Sequence, residues 1–177
     1  MLVFDVYKQV VETCKQELLN ENITFDKNLQ VGVMIEIPSI AMVSEEVAQV
    51  VDFASIGTND LTQYLMAVDR MDASLADHYQ SYSPALFRVL KMIAEAFNKY
   101  QKPISVCGEL GGDPDAVGIL IGLGINKFSM SVSQITKVQK RIRESKYADY
   151  KKLADLVLKA STQQEVKKHI DSFNQKN

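Results

Sequence analysis

Val31-Gly32-Val33-Met34-Ile35-Glu36-Ile37-Pro38 opens with an unbroken apolar run and ends in a carboxylate. Apolar residues without alternation predict a short strand covered on both faces, the pattern of a parallel sheet. Three further segments have the same build: Asp52-Phe53-Ala54-Ser55-Ile56-Gly57, Ile104-Ser105-Val106-Cys107 and Phe128-Ser129-Met130. Helical patterns fill the intervals. Ser44 is the expected N-cap of a short helix through Val51. Pro84 opens a helix with Leu86, Val89, Leu90, Ile93 and Phe97 on one face. Asp113-Pro114 starts another helix, running to about Leu123 and closed by Gly124. Four β/α units follow one another, so the fold class is α/β with parallel strands. Two architectures satisfy that pattern: an open doubly wound sheet, or part of an eight-stranded (β/α)8 barrel, which needs about 250 residues when complete.

Outside these units, residues from Val3 to about Leu19 place Val3, Val6, Val10, Cys14 and Leu18 at helical spacing, which predicts an amphipathic helix packed on the body. Residues 60–82 are expected to form a long, polar and aromatic connection, of the kind that carries function. Extra C-terminal helices are predicted at Ser133–Glu144 and Ala148–Ala160, and after Thr162, where Glu165 completes a capping box. With 177 residues, no linker and no repeat, one domain spanning 1–177 is expected.

Bulk properties narrow the function. A net charge of -2 provides no global field for nucleic acid or an anionic membrane, so an anionic ligand has to be held by local groups. Cys14 and Cys107 make no disulfide framework, no apolar run reaches the roughly 18 residues that cross a bilayer, and Met1-Leu2-Val3-Phe4-Asp5 lacks the build of a signal peptide. A cytoplasmic protein without nucleic-acid or membrane partners is the expectation.

In either architecture the chemistry belongs at the C-terminal ends of the strands. There the sequence offers Glu36, then Gly57-Thr58-Asn59-Asp60, then Cys107-Gly108-Glu109. A carboxylate after five nonpolar residues has to be paired, protonated or bound to a cation. Asn59 or Asp60 could instead cap the next helix, but Glu36 and Asp60 together suit Mg²⁺, which takes one or two carboxylates and completes its shell with water and substrate oxygens. Arg70 is either a solvated charge or, beside a metal and a carboxamide, a phosphate clamp. Cys107 is either an inert thiol or, at a strand end before a glycine, a proton donor or nucleophile. His78 and His169 have no metal-ligand spacing with each other or with a cysteine.

Gly32-Val33-Met34-Ile35-Glu36-Ile37-Pro38, Phe53 through Tyr64, Ala67-Val68-Asp69-Arg70 and Val106-Cys107-Gly108-Glu109 resemble the C-terminal domain of Enzyme I, the phosphoenolpyruvate-protein phosphotransferases; Phe128-Ser129-Met130-Ser131 resembles its last strand. The resemblance covers nearly the whole chain in order. It implies the second half of a (β/α)8 TIM-type barrel, its last four β/α units. It implies transfer of a phosphoryl group from phosphoenolpyruvate (PEP) to a histidine on a separate phosphohistidine domain, releasing pyruvate, in the sugar or nitrogen phosphotransferase system. Carried over by position, Glu36 and Asp60 are Mg²⁺ ligands, Asn59, Asp60 and Arg70 bind substrate, and Cys107 protonates the enolate carbon. A phosphocarrier protein and a homodimer partner are implied as well. The family's phosphohistidine domain and first four barrel units, with two further phosphate-binding arginines, have no counterpart in this sequence, so the chain is expected to hold part of an active site and to be inactive alone. Pyruvate phosphate dikinase and PEP synthase share the Thr-Asn-Asp and Cys-Gly-Glu signatures, and a non-catalytic dimerisation module is the reading from another class.

Overall fold

The computed structural model describes residues 2–175; Met1, Lys176 and Asn177, and the side chain of Val3 counted above, lie outside the described residues. Three parallel strands, β1 (Gly32–Ile35), β2 (Phe53–Gly57) and β3 (Ile104–Cys107), form a sheet in the order β1-β2-β3. In chain order the helices are α1 (Leu2–Asn20), α2 (Pro38–Met42), α3 (Ser44–Val50), α4 (Thr58–Met66), α5 (Pro84–Lys99), α6 (Pro114–Gly122), α7 (Val132–Arg143), α8 (Tyr147–Lys159) and α9 (Gln163–Asn174). The α/β class and the parallel strands expected from the alternation are present.

One face of the sheet is the core. Ile35, Ala54, Ile56, Ile104 and Val106 are buried, every second residue along each strand. Against them α5 packs Leu86, Phe87, Leu90, Ile93 and Phe97, the face its sequence foretold, with Val89 half-buried at the margin. The other face is open: Met34 is 43% and Phe53 38% exposed. The expectation that the β1 run is covered on both sides is therefore corrected. Its residues are apolar on both faces, but helices cover only one.

The expected strand at Phe128–Met130 is reduced to one bridge, Val106 to Phe128, with Val106 N donating to Lys127 O at 3.0 Å and Ser129 N to Val106 O at 2.8 Å. Three residues before the cap of α7 leave no room for a longer ladder. Residues 60–82 are not one long connection either. Thr58-Asn59-Asp60 belongs to the first turn of α4, which ends where Ala67 turns left-handed at φ 53°. The nine residues of α4 offer too few turns for the 3.6-residue period to stand out. The Pro38–Met42 helix, α2, also escaped the sequence reading; Ser44 does not cap α3 but lies buried, donating to Ala41 O at 2.8 Å. In α1, Val6, Tyr7 and Val10 are more than half exposed and Cys14 is exposed, so the predicted packed face is mostly uncovered. Lys8 Nζ donates to Val50 O at 2.6 Å and Phe4 touches the core; these tie α1 down.

Apart from Ser44, the cap signals are where the residue types placed them. Asp113 accepts from Asp115 N at 2.9 Å. Gly124, at φ 96°, lets its own N–H reach Ile121 O and that of Ile125 reach Leu120 O, a Schellman closure of α6. Thr162 Oγ1 accepts from Glu165 N at 3.2 Å while Glu165 Oε2 accepts from Ser161 N at 2.7 Å. At the end of α8, Arg88 donates to Leu158 O and Ala160 O at 3.1 and 2.8 Å, satisfying carbonyls that the helix cannot. Among the described residues no helix is long and apolar enough to cross a membrane.

Candidate active site

Register places three strand ends at one level. Ile35 pairs with Ile56, so Glu36, one residue on, arrives beside Gly57, and Gly57 pairs with Cys107. The contact is close: a Cβ on Gly57 would sit 3.0 Å from Glu36 Cβ and 3.2 Å from its Oε2. Gly57 is also the residue before α4, whose first turn holds Asp60. Both carboxylates thus stand at the same end of the sheet.

Side chains stitch the ends together. Thr58 Oγ1 donates to Cys107 O at 2.7 Å, and Glu109 N donates to Asn59 Oδ1 at 3.0 Å. The second bond orients the Asn59 carboxamide: its oxygen is taken by the backbone, so its NH₂ is the group available to an anion. Such close approach needs a glycine at 108. Its φ is 87° and ψ -172°, a conformation essentially reserved for glycine, and an added Cβ would lie 2.7 Å from both Asn59 Oδ1 and Thr58 Oγ1.

Cys107 is half-buried; its Sγ donates to Ile56 O at 3.3 Å and lies 3.8 Å from Met34 Sδ on the open face. Arg70 Nη2 is 3.4 Å from Asp60 Oδ1, with side chains 35% and 39% exposed. An ion pair that open contributes no more than about 1 kcal/mol, so a competing anion or cation separates it easily. Arg70 N donates to Gln63 Oε1 at 3.2 Å. A cavity of about 520 Å³ opens beside Asn59, Gly108, Glu109, Asp113, Met130 and Ser131. It shares Asn59 with the cluster, but Glu36, Asp60 and Arg70 stand outside its wall.

The structure brings Glu36, Asn59, Asp60, Arg70 and Cys107 to one end of the molecule. It corrects one premise: Glu36 is exposed, because the strand face it follows is open, so burial does not force a partner on it. Asn59 and Asp60 are not N-caps either; the cap position is Gly57. His78 ends a 3-10 turn on the exposed loop, and His169 lines a surface cavity between α8 and α9, away from the cluster.

The donor set suits a hard divalent cation. Glu36 has no hydrogen bond or ion pair among the described residues, and Asp60 is engaged only by the long contact to Arg70. Those residues hold no group of three or more His, Cys, Asp or Glu able to enclose a metal. Two carboxylates with water and substrate oxygens are what Mg²⁺ takes, whereas a closed cage would point elsewhere.

Comparison with known proteins decides the family. Residues 3–147 match the family described as "PEP-utilising enzyme, PEP-binding domain". The chain belongs to this family. Relatives include the phosphoenolpyruvate-protein phosphotransferases of Mycoplasma capricolum subsp. capricolum, 39% identical over 170 residues (96% of this chain, 30% of that protein), and of Haemophilus influenzae, 42% identical over 166 residues (94% and 29%). That of Buchnera aphidicola subsp. Baizongia pistaciae is 43% identical over 163 residues (92% and 28%). The chain therefore spans less than a third of the length of these relatives. Its strand-end cluster lies at the end of the sheet where parallel β/α folds bind ligands.

Two contributors escaped the sequence reading. Thr58 was quoted only as part of a motif, and its bond to Cys107 O depends on the β2–β3 register. Tyr79, from the loop after α4, donates to Asn59 O at 3.1 Å. Its one sequence signal was an aromatic residue inside a connection already marked as functional.

Proposed function

We propose that this domain is the PEP-binding part of a phosphoenolpyruvate-protein phosphotransferase, built as the last four units of a (β/α)8 barrel. The supporting observation is the meeting of Glu36, Asn59, Asp60 and Cys107 at adjacent strand ends, locked by the Thr58–Cys107 and Asn59–Glu109 hydrogen bonds. The names of the relatives favour this over the dikinase and synthase readings.

In this reading Glu36 and Asp60 hold Mg²⁺, which supplies positive charge to the phosphoryl oxygens. The Asn59 NH₂ and the Arg70 fork bind phosphate oxygens, withdrawing charge as the phosphoryl group leaves. The Cys107 thiol delivers its proton to the enolate carbon to form pyruvate. The phosphoryl group passes to a histidine of a phosphohistidine domain, and from there to a phosphocarrier protein, in the sugar or nitrogen system of the cytoplasm.

Titration with Mg²⁺ in the presence of oxalate tests the site. The Glu36→Ala/Asp60→Ala variant is expected to lose Mg²⁺-dependent oxalate binding at least tenfold, as it removes both of the assigned ligands. Equal affinity in the variant and the parent chain would remove the assignment.

A homodimer belongs to the same reading. Met34, Ile37, Met42 and Val43 are each at least 43% exposed at the β1 side of the sheet, and an uncovered strand edge is a template for pairing. Sedimentation equilibrium at micromolar concentration is expected to give a dimer or larger; a monomer that binds no hydrophobic dye contradicts it.

A further inference from the structure

We infer that Tyr79 is a positioning residue, whose hydroxyl pins the loop of residues 67–83 to the first turn of α4 and thereby sets where Arg70 can reach. The inference rests on the function proposed above, with Arg70 as the arm that meets the anion.

The far end of the loop is anchored to the body by Tyr82, which packs on the core, bonds Asp113 through its hydroxyl and donates its N–H to Gln163 Oε1 at 3.2 Å. The stretch that carries Arg70, by contrast, has little burial to hold it. Asp72, Ala73 and Ser74 are exposed, and Met71 is 84% exposed. Several of its hydrogen bonds are internal: Met71 N to Asp69 Oδ1 at 2.9 Å, Ser74 N to Asp72 Oδ1 at 2.9 Å, Leu75 N to Asp72 O at 3.0 Å. Segments of this kind open locally at small cost unless specific bonds tie them to the body. Beyond the helix end itself, its ties to α4 among the described residues are few: Arg70 N to Gln63 Oε1, the Arg70–Asp60 pair, and Tyr79 to Asn59 O, supported by the Thr62 hydroxyl.

These ties differ in what a ligand does to them. An anion that engages the Arg70 guanidinium, or a cation on Asp60, competes with the ion pair. The Tyr79 bond survives both, because its acceptor is a main-chain carbonyl. That carbonyl belongs to Asn59, whose side chain is fixed by Glu109 N, so the loop is registered on the residue that offers its NH₂ to the same anion. Glu109, Arg70 and Asp60 all face the phenol, along with Thr62. Burial raises its pKa above the ordinary value, opposed by the Thr62 hydrogen bond and by Arg70 and assisted by Glu109 and Asp60. At neutral pH it is a neutral donor.

The test is Tyr79→Phe in this chain, which removes the hydroxyl and keeps the ring. Amide hydrogen exchange in the free protein is expected to quicken about threefold to tenfold at Val68 and Arg70, with α5 and the sheet unchanged. Oxalate affinity in Mg²⁺ is expected to fall by a similar factor, with Mg²⁺ binding in the absence of oxalate unaltered. In an Arg70→Ala background, Tyr79→Phe should cost oxalate binding nothing further, since it acts through that arm. Unchanged exchange at Val68 and Arg70 overturns the inference, and so does exchange quickened equally throughout the molecule, which marks a merely structural tyrosine. A parent chain without Mg²⁺-dependent oxalate binding overturns the functional reading instead, and the exchange result then judges the tether by itself.

Discussion

If the domain works as proposed, Cys107→Ala, placed in a full-length phosphoenolpyruvate-protein phosphotransferase carrying this domain, is expected to slow pyruvate formation by a factor of about 10²–10⁴ while changing the PEP KM only a few-fold. That split is expected of a group whose work is confined to the transition state. The thiol has little else to do: it touches Ile56 O at 3.3 Å and Met34 Sδ at 3.8 Å, and it is only half-buried. Truncation therefore removes few packing contacts. Cys107→Ser separates the two roles. A serine hydroxyl can keep the hydrogen bond to Ile56 O, but it is a far weaker acid than a thiol. If the cysteine were structural, serine would restore turnover; if it is the proton donor, serine stays nearly as slow as alanine. Single-turnover measurement of pyruvate at saturating PEP reads the difference, and an Ala variant with parental turnover sinks the assignment.

Gly108→Ala is the substitution expected to break the strand-end lock most directly. A methyl group at φ 87°, ψ -172° enters backbone space that L-residues avoid, and it meets Asn59 Oδ1 and Thr58 Oγ1 at 2.7 Å. Strain of this kind costs roughly 1–3 kcal/mol, and the collision adds a similar amount because Thr58 and Asn59 are already committed to Cys107 O and Glu109 N. A loss of about 2–6 kcal/mol in denaturant unfolding is expected, together with loss of oxalate binding as the Asn59 carboxamide turns away. Gly57 is a graded comparison. A Cβ there would meet Glu36 Oε2 at 3.2 Å, which can swing aside, and Glu36 Cβ at 3.0 Å, where the strands have to give only slightly, so Gly57→Ala should cost less stability than Gly108→Ala while still weakening Mg²⁺ binding. Gly108→Ala unfolding within about 1 kcal/mol of the parent would show that the strand end relaxes freely and that the lock is weaker than its distances imply.

The sequence by itself determined the parallel β/α order, the caps at Asp113 and Thr162, the Gly124 stop and the chemical types at the strand ends. Those signals are local: a cap joins residues two or three apart, and a strand announces itself in four or five side chains. What only the tertiary structure decided involves partners far along the chain. Glu36 is exposed because the sheet face beneath it is uncovered, and no residue near it in sequence records that. The register that levels Glu36 with Gly57 and Cys107 joins segments 21 and 50 positions apart. Orientation of the Asn59 amide depends on Glu109 N, 50 residues away, and the tether from Tyr79 reaches back 20. The amphipathic pattern of α1 identified a helix correctly but not what covers it, since periodicity describes the helix and exposure depends on its neighbours. The Phe128 strand shrank to a single bridge although β3 lies alongside it, because the cap of α7 at Ser131 follows so closely that the ladder stops at Val106.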